Sequence, residues 1–291
     1  MKPPAFRYHR PRSLDESVRL LADLGEDAKV LGGGQSLLPI MNMRLAEPTD
    51  LVDVTAIKEL RGATVVDGAV RYGATTTHGM LEDQLVPDAA GGLLHRAATG
   101  IGYRAVRNRG TVAGSLAHSD SSAEWPTVMS ALDAIVEATS VRGTRQIPVR
   151  DLLQGFFTTM LDHDEVISAV RVARLPEDRW WGLHKSARKA GEFAESLAVA
   201  LVDVAADGRI TQAELWLGAA RDVPVQLRDV AALVQDAQPQ EITVADLLPA
   251  VATDIGRSLD DPDPHARHAL QLHAVTVQRA LKSARKARSD A

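Results

Sequence analysis

The chain has 291 residues and no cysteine. This excludes disulfides, thiolate nucleophiles and cysteine-ligated zinc or iron–sulfur clusters within it. If it takes part in electron transfer, any iron–sulfur centre must sit on a partner. A long hydrophobic run is missing as well. The longest apolar stretch, around Leu197 to Ala206, is interrupted by Asp203 and is too short to cross a bilayer, so no membrane span is expected. The segment Met1 to Arg10 has no apolar core of the kind a signal peptide needs, and a cytoplasmic protein is the expectation. Excess positive charge is absent too. The net charge is −5, which points away from nucleic acid and from anionic membranes. The basic run Lys282 to Arg288 is short and terminal and reads as a solvated tail. Two nucleotide motifs are also lacking. A Rossmann fingerprint started from Gly32 needs glycine where Leu37 stands, and no Gly-Lys-Ser/Thr of a Walker loop follows.

What is present is ordinary in bulk and unusual at two places. Apolar residues make up 45% and charged residues 24% of the chain, as in a soluble globular protein long enough for two domains. The first unusual place is Leu31-Gly32-Gly33-Gly34-Gln35-Ser36-Leu37-Leu38-Pro39. The second runs from Arg107-Asn108-Arg109-Gly110-Thr111 through Val112, Ala113, Gly114 and Ser115 to His118-Ser119-Asp120. Each combines small residues, hydroxyls and open backbone N–H groups. Two such loops suit the two ends of a diphosphate-bearing cofactor, because glycine allows close backbone approach and helix starts offer free donors.

The pattern of elements gives these loops a setting. Ser13 with Glu16 reads as a capping box opening a helix over 13–24 that stops at Gly25. Lys29 to Leu31 is a short strand entering the first loop, and Ser36 is expected to cap a helix with Pro39 in its first turn. Leu51 to Val54 is a strand. Asp67-Gly68 between Thr64–Val66 and Ala69–Gly73 marks a hairpin. Helices are expected from Thr77 toward Leu85, over Ala89 to Ala98 and over Glu124 to Leu132. Strands are expected over Ala134 to Thr139, Arg145 to Pro148 and Glu165 to Val172. The polar segment Arg174 to Arg179 marks a domain boundary. Beyond it come three strands, Trp180 to Ser186, Ser196 to Ala206 and Arg209 to Gly218, the last two joined by Ala-Asp-Gly. Helices follow, with a strong pattern from Pro264 to Arg285. A sheet followed by helices is an α+β arrangement.

Several side chains admit two readings. Arg107 and Arg109 suit either a phosphate or a structural ion pair. Asp120 suits either ribose hydroxyls or a helix cap ahead of Trp125. His118 alone lacks ligand spacing. His265 and His268 share a helical face near His273, but no third metal ligand has clear spacing, so no metal site is expected. Trp180-Trp181 reads as inter-domain packing. Glu192-Phe193, following Lys185 and Arg188, suits the border of a flat ring.

Both loops, their spacing and their flanks resemble the FAD-binding medium subunit of the molybdenum hydroxylases, the xanthine dehydrogenase and aerobic carbon monoxide dehydrogenase family. That family's first loop runs Ala-Gly-Gly-x-Ser-Leu-x-Pro and ends in arginine. Here it is Gly32 to Pro39, ending at Arg44. Its second runs Ile-Arg-Asn-Arg-Gly-Thr-Ile-Gly-Gly-x-Leu-x-x-x-Asp, and here it is Val106 to Asp120. The likeness extends from Pro3–Pro11 through Phe156-Phe157-Thr158-Thr159 and Lys185–Phe193 into the C-terminal third.

The resemblance implies an α+β fold. It comprises a PCMH-type FAD-binding domain over 1–176, made of subdomains near 1–55 and 56–176 with FAD between them. A small α+β domain over 177–291, with a three-stranded sheet and helices, follows. It implies that Gly32, Gly33, Gly34, Gln35, Ser36 and Leu37, with Thr111, Val112, Ala113, Gly114 and Ser115, wrap the diphosphate of FAD. Asp120 would sit near the ribose or adenine, and Ile101, Lys185 and Phe193 near the flavin ring.

In function, the resemblance implies an electron-relay subunit of a molybdenum-dependent oxidoreductase of the carbon monoxide, aldehyde or N-heterocycle type. A large partner would carry molybdopterin and a small partner two [2Fe–2S] clusters, in a dimer of heterotrimers that passes electrons through FAD to an external acceptor. No residue of this chain need act as acid or base on the organic substrate. The rival readings are a self-contained FAD oxidoreductase and a flavin-free interaction subunit. Three departures bear on this. Ala113 stands for the usual second-loop glycine, where one extra methyl is expected either to crowd the phosphate or to require a negative φ, with FAD still bound because the backbone donors survive. Ser121-Ser122 stands for Pro-Ala, which is expected to loosen the next turn, and Leu197 stands where a small residue is common.

Overall fold

A computed structural model describes residues 2–287. The chain folds into two compact units. One holds residues 1–87, 103–119 and 134–173. The other holds 88–102, 120–133 and 174–291. The segments 88–102 and 120–133 therefore pack with the C-terminal third rather than with their neighbours in sequence.

Apart from a two-stranded pairing of Leu153–Gly155 with Thr158–Thr159, the described residues of the first unit form two sheets. In the smaller, Asp50–Asp53 lies between Arg7–His9 and Ala28–Leu31 and runs parallel to both. All four residues of the central strand are buried. The larger is an antiparallel sheet in the order Ala63–Val66, Ala69–Gly73, Val166–Ala173, Ile135–Ser140, Gly143–Pro148. The hairpin expected at Asp67-Gly68 is present, with φ of 49° and 73° at its two central residues, as a type I′ turn requires. The helix Leu14–Leu24 packs against strands of both sheets through Val18 and Leu21. Ser13 accepts the Glu16 N–H at 3.1 Å. The expected capping box is only half made, because the Glu16 carboxylate turns to the N–H of Arg12.

The second unit is built on an antiparallel sheet in the order Val225–Gln226, Ile210–Gly218, Ser196–Val204, Trp180–Ser186, Arg285–Lys286. The three long strands are those expected, and two short edge pairings extend them. The helix Pro264–Lys282 covers one part of the Ser196–Val204 and Trp180–Ser186 strands, with Val244–Asp254 packed on the helix. The helix Glu124–Ala131 lies against Ser196–Val204 and Ile210–Gly218. Helices on the central strand explain its composition. Ser196 to Val202 is buried at every position, so both faces are apolar and the run lacks the alternation of a half-exposed strand. Leu197 is fully buried here.

One helix starts later than expected. The sequence pattern predicts a single helix over 89–98, yet the helix spans Leu93–Thr99. Gly91 and Gly92 have φ of 58° and 99°, which a right-handed helix does not allow. Among the described residues, no helix is long and apolar enough to cross a membrane. The basic run ends at Arg288, outside the described residues.

Candidate functional site

The strand Ala28–Leu31 delivers the chain directly into the first glycine loop. Its parallel partner Asp50–Asp53 is anchored by buried carboxylates. Asp50 accepts from Arg7 and His9, each at 2.7 Å, and Asp53 accepts from Tyr8 and from Thr55. The loop leads into the short helix Leu37–Asn42. Ser36 occupies the cap position, but it has right-handed helical angles and its hydroxyl caps nothing. The expected Ser36 cap is thus absent, because a side chain needs extended backbone at that position to reach forward.

The second loop is better fastened. Thr111 has extended angles and its hydroxyl accepts the Gly114 N–H at 3.0 Å, opening the helix Val112–His118. Arg107 pairs with Glu82, with Nε at 2.7 Å and Nη2 at 2.8 Å from the carboxylate. Of its two readings, the structural ion pair is therefore the one formed.

The fold brings the two loops into backbone contact. A Cβ placed on Gly33 would overlap the Arg109 carbonyl and lie 2.7 Å from the Gly110 Cα. One placed on Gly32 would touch the Thr111 hydroxyl at 3.5 Å. Glycine is required at 33 because the other loop occupies the space of a side chain. Among the described residues, the N–H groups of Gly33, Gly34, Gln35, Ser36 and Thr111 donate to no group of the chain. Such clustered donors form a concavity suited to an anion. Gly32, Gly34, Ser36, Leu37 and Ser115 are half-buried, Gln35 and Gly114 are exposed, and Gly33, Thr111 and Val112 are buried.

Ala113 lies inside the Val112–His118 helix and is 4% exposed. Its methyl is covered by protein and is not offered to a ligand, so the expected crowding of the phosphate does not arise at this surface. His118 stacks on Phe157 with ring centroids 4.7 Å apart.

The remaining candidates belong to the second unit, and three of them are knit together there. Ile101 is held from both sides. The Gly100 carbonyl before it accepts from Lys185 Nζ at 2.9 Å, and the Gly102 N–H after it donates to the Gly191 carbonyl at 3.0 Å. Phe193 follows that turn and is 61% exposed. Lys185 also donates to Glu124 at 2.6 Å. Burial pushes the Glu124 carboxyl above its ordinary value, and the lysine only partly offsets this. Sequence reasoning passes over Glu124. Its partner lies 61 positions away, and a single acid ahead of Trp-Pro carries no mark of its role. Asp120 is buried, and its Oδ1 accepts the Ser122 N–H at 2.9 Å, so it closes a turn before the Glu124–Ala131 helix. The Ser121 and Ser122 carbonyls accept from Ala219 and Ala194 at 2.9 and 3.0 Å. That turn is tied at three points, against the expected loosening.

His273 is buried and faces the Ser196 hydroxyl at 2.8 Å, while His265 and His268 are exposed. Trp181 donates to the Gly91 carbonyl at 3.0 Å and carries the Arg285 guanidinium over its ring.

The family described as the FAD binding domain in molybdopterin dehydrogenase matches residues 4–175, and the CO dehydrogenase flavoprotein C-terminal domain matches residues 181–284. The chain belongs to the FAD-binding medium subunits of the molybdenum hydroxylase family, and it is the FAD subunit of an oxidoreductase. It is 33% identical to the 6-hydroxypseudooxynicotine dehydrogenase complex subunit alpha of Paenarthrobacter nicotinovorans, over 98% of this chain and 96% of that protein. It is 32% identical to the carbon monoxide dehydrogenase medium chain of Afipia carboxidovorans, over 98% of each. The crystal structure of quinoline 2-oxidoreductase from Pseudomonas putida 86 superimposes with a TM-score of 0.86 at 31% identity, covering 97% of this chain and 98% of that one. Relatives named as medium chains or as subunits of a complex support a heteromeric partnership.

Proposed function

We propose that the chain is the flavin-carrying electron-transfer subunit of a heteromeric molybdenum hydroxylase. Its FAD-binding domain spans 1–176, with subdomains near 1–55 and 56–176, and its C-terminal domain spans 177–291. A small partner supplies two [2Fe–2S] clusters, a large partner supplies molybdopterin, and the assembly is a cytoplasmic dimer of heterotrimers. The observation that carries this reading is the backbone contact of the two glycine loops, with unpaired N–H groups on both.

The residues fit the group. Glycines 33 and 110 leave open backbone where a Cβ would collide, and the N–H groups of Gly33 to Ser36 and of Thr111 are free to donate to a diphosphate. Leu37 and Val112 to Ser115 flank those donors. Asp120 has carboxylate capacity beyond its turn for a ribose hydroxyl. Ile101 gives an apolar surface for a ring, Phe193 an exposed aromatic face beside it, and Lys185 a cation balanced by Glu124. FAD, when bound, accepts electrons from the iron–sulfur side and delivers them to an external acceptor. The chain's task is to hold that group, shield one face and set the charge around it.

The test is the absorption spectrum of the purified chain, alone and co-expressed with its partner subunits. Bands near ~370 and ~450 nm, with FAD released on denaturation, are expected. Flavin retained only in the complex would mean that partners complete the site. Absence of flavin from both preparations would refute the relay and favour an interaction subunit.

A further inference from the structure

The close approach of the two loops ends on a side chain that belongs to neither. A Cβ on Gly33 would overlap the carbonyl of Arg109. At the next residue, a Cβ on Gly110 would lie 2.6 Å from Nε2 and 2.8 Å from Cδ2 of His78. First loop, second loop and imidazole therefore stand in a row, with no space for a methyl group at either step.

The segment carrying the imidazole is fastened to the second loop along its length. Thr77 caps the helix His78–Glu82 by accepting the Met80 N–H at 3.2 Å. The His78 N–H donates to the Gly110 carbonyl at 2.9 Å, and the Val112 N–H donates to the Thr76 carbonyl at 3.3 Å. These bonds frame a bridge between Thr77 and Thr111. Four residues on, Glu82 holds Arg107 through both carboxylate oxygens. Between them, a Cβ on Gly79 would lie 3.2 Å from the Arg107 carbonyl. The imidazole is 5% exposed. Burial and the nearby Arg107 charge bring its pKa down to about 3, so at neutral pH it offers size and shape without charge.

We propose that His78 is a positioning residue for the diphosphate cradle: its ring fixes how closely the second glycine loop stands to the first, and glycine is needed at 110 because the ring fills the space of a side chain. This rests on the reading that the two loops hold FAD. The second loop is braced by a packed ring and the first by the second loop's backbone, and packed interiors yield little to an added methyl.

The test is a double-substitution cycle in the full chain, stripped of flavin and titrated with FAD by fluorescence quenching. An added methyl has no room beside the ring, so Gly110→Ala is expected to weaken FAD binding by about 10- to 100-fold. Adding His78→Ala to Gly110→Ala is expected to restore at least about tenfold, since it opens the space the methyl needs. Gly33→Ala meets backbone instead of a ring, so adding His78→Ala there is expected to restore nothing. Melting of the FAD-free variants reports on folding separately. Should Gly110→Ala fail to fold, the comparison moves to His78 alone. His78→Phe keeps a ring and is expected to bind FAD within about threefold of wild type, while His78→Ala loses about tenfold. Equal recovery in the Gly110 and Gly33 backgrounds, no recovery in either, or equal affinity of His78→Ala and wild type overturns the positioning role. A wild-type chain that takes up no FAD, either alone or with its partner subunits, overturns the cofactor reading itself.

Discussion

Lys185→Met removes the cation facing Glu124 and leaves most of the stem's packing in place. In the native protein the ammonium bridges Glu124 and the Gly100 carbonyl at 2.6 and 2.9 Å, and the paired side chains are only 15% and 6% exposed. Deleting one partner of a buried ion pair leaves the other charged and uncompensated, at a cost of about 3–5 kcal/mol. The carboxyl has one escape, which is protonation. Burial already raises it from an ordinary value of 4.5 against the pull of Lys185, and without the lysine the main opposition to that rise is gone. A carboxyl whose folded pKa is raised takes up a proton in the folded state before it does so in the unfolded one. The variant therefore regains stability as pH falls through that raised value toward 4.5. Each pH unit within the window is worth about 1.4 kcal/mol.

Urea unfolding at two pH values is the assay. The deficit of Lys185→Met relative to wild type is expected to be about 3 kcal/mol or more near pH 8 and to shrink by at least about 1 kcal/mol near pH 5.5. The double variant Lys185→Met/Glu124→Gln leaves no buried charge and is expected to recover most of the loss. A deficit below about 1 kcal/mol, or one independent of pH, would refute the buried-pair argument.

Three further outcomes follow from the same geometry. Burial, aided by Arg107 and Arg257, brings His78 and His273 down to about 3 and about 4 from an ordinary 6.5. The unfolded chain then binds more protons in that window, so stability is full above about pH 6.5 and falls with acidification. Near pH 5 the loss is about 2 kcal/mol per histidine, and His78→Phe is expected to flatten the pH profile of urea unfolding by its share; identical profiles would contradict this. Ala113→Gly is expected to leave FAD affinity within about twofold while lowering stability by about 1 kcal/mol, because the alanine sits in a helix with its methyl covered; a large gain in flavin affinity would show that the methyl faces the ligand. Gly182→Ala would put a Cβ over the Ala280 carbonyl and 3.2 Å from the Ala284 N–H, so a loss of about 3 kcal/mol in unfolding free energy is expected, and an unchanged melting curve would mean that helix and sheet separate easily.

How much of this was legible in the sequence depends on the range of the interaction responsible. Local chemistry was readable. Asp67-Gly68 announces its hairpin through residues that tolerate positive φ, and Ser13 caps its helix as a hydroxyl residue does. The two glycine loops stood out because glycine and hydroxyls cluster in both. What escaped was set by distant partners. Nothing near Arg7–His9 announces a strand, since its pairing depends on Asp50–Asp53 lying beside it. Ser36 looks like Thr111 in type, yet only one of them has the backbone angles that let a hydroxyl cap.

The same distinction separates the loops from the side chains that support them. A loop built to present backbone needs residues of a particular kind, so composition betrays it. A residue that holds such a loop in place needs only to fill a space, and many residue types do that. His78 carries no signature, because its role appears only when the Gly110 backbone is found against its ring. Glu124 is equally plain until Lys185 is found 2.6 Å away. For a protein whose own task is to hold a reactive group and balance charge around it, the supporting residues are as much the site as the loops are. They become visible only through contacts that join segments distant in sequence.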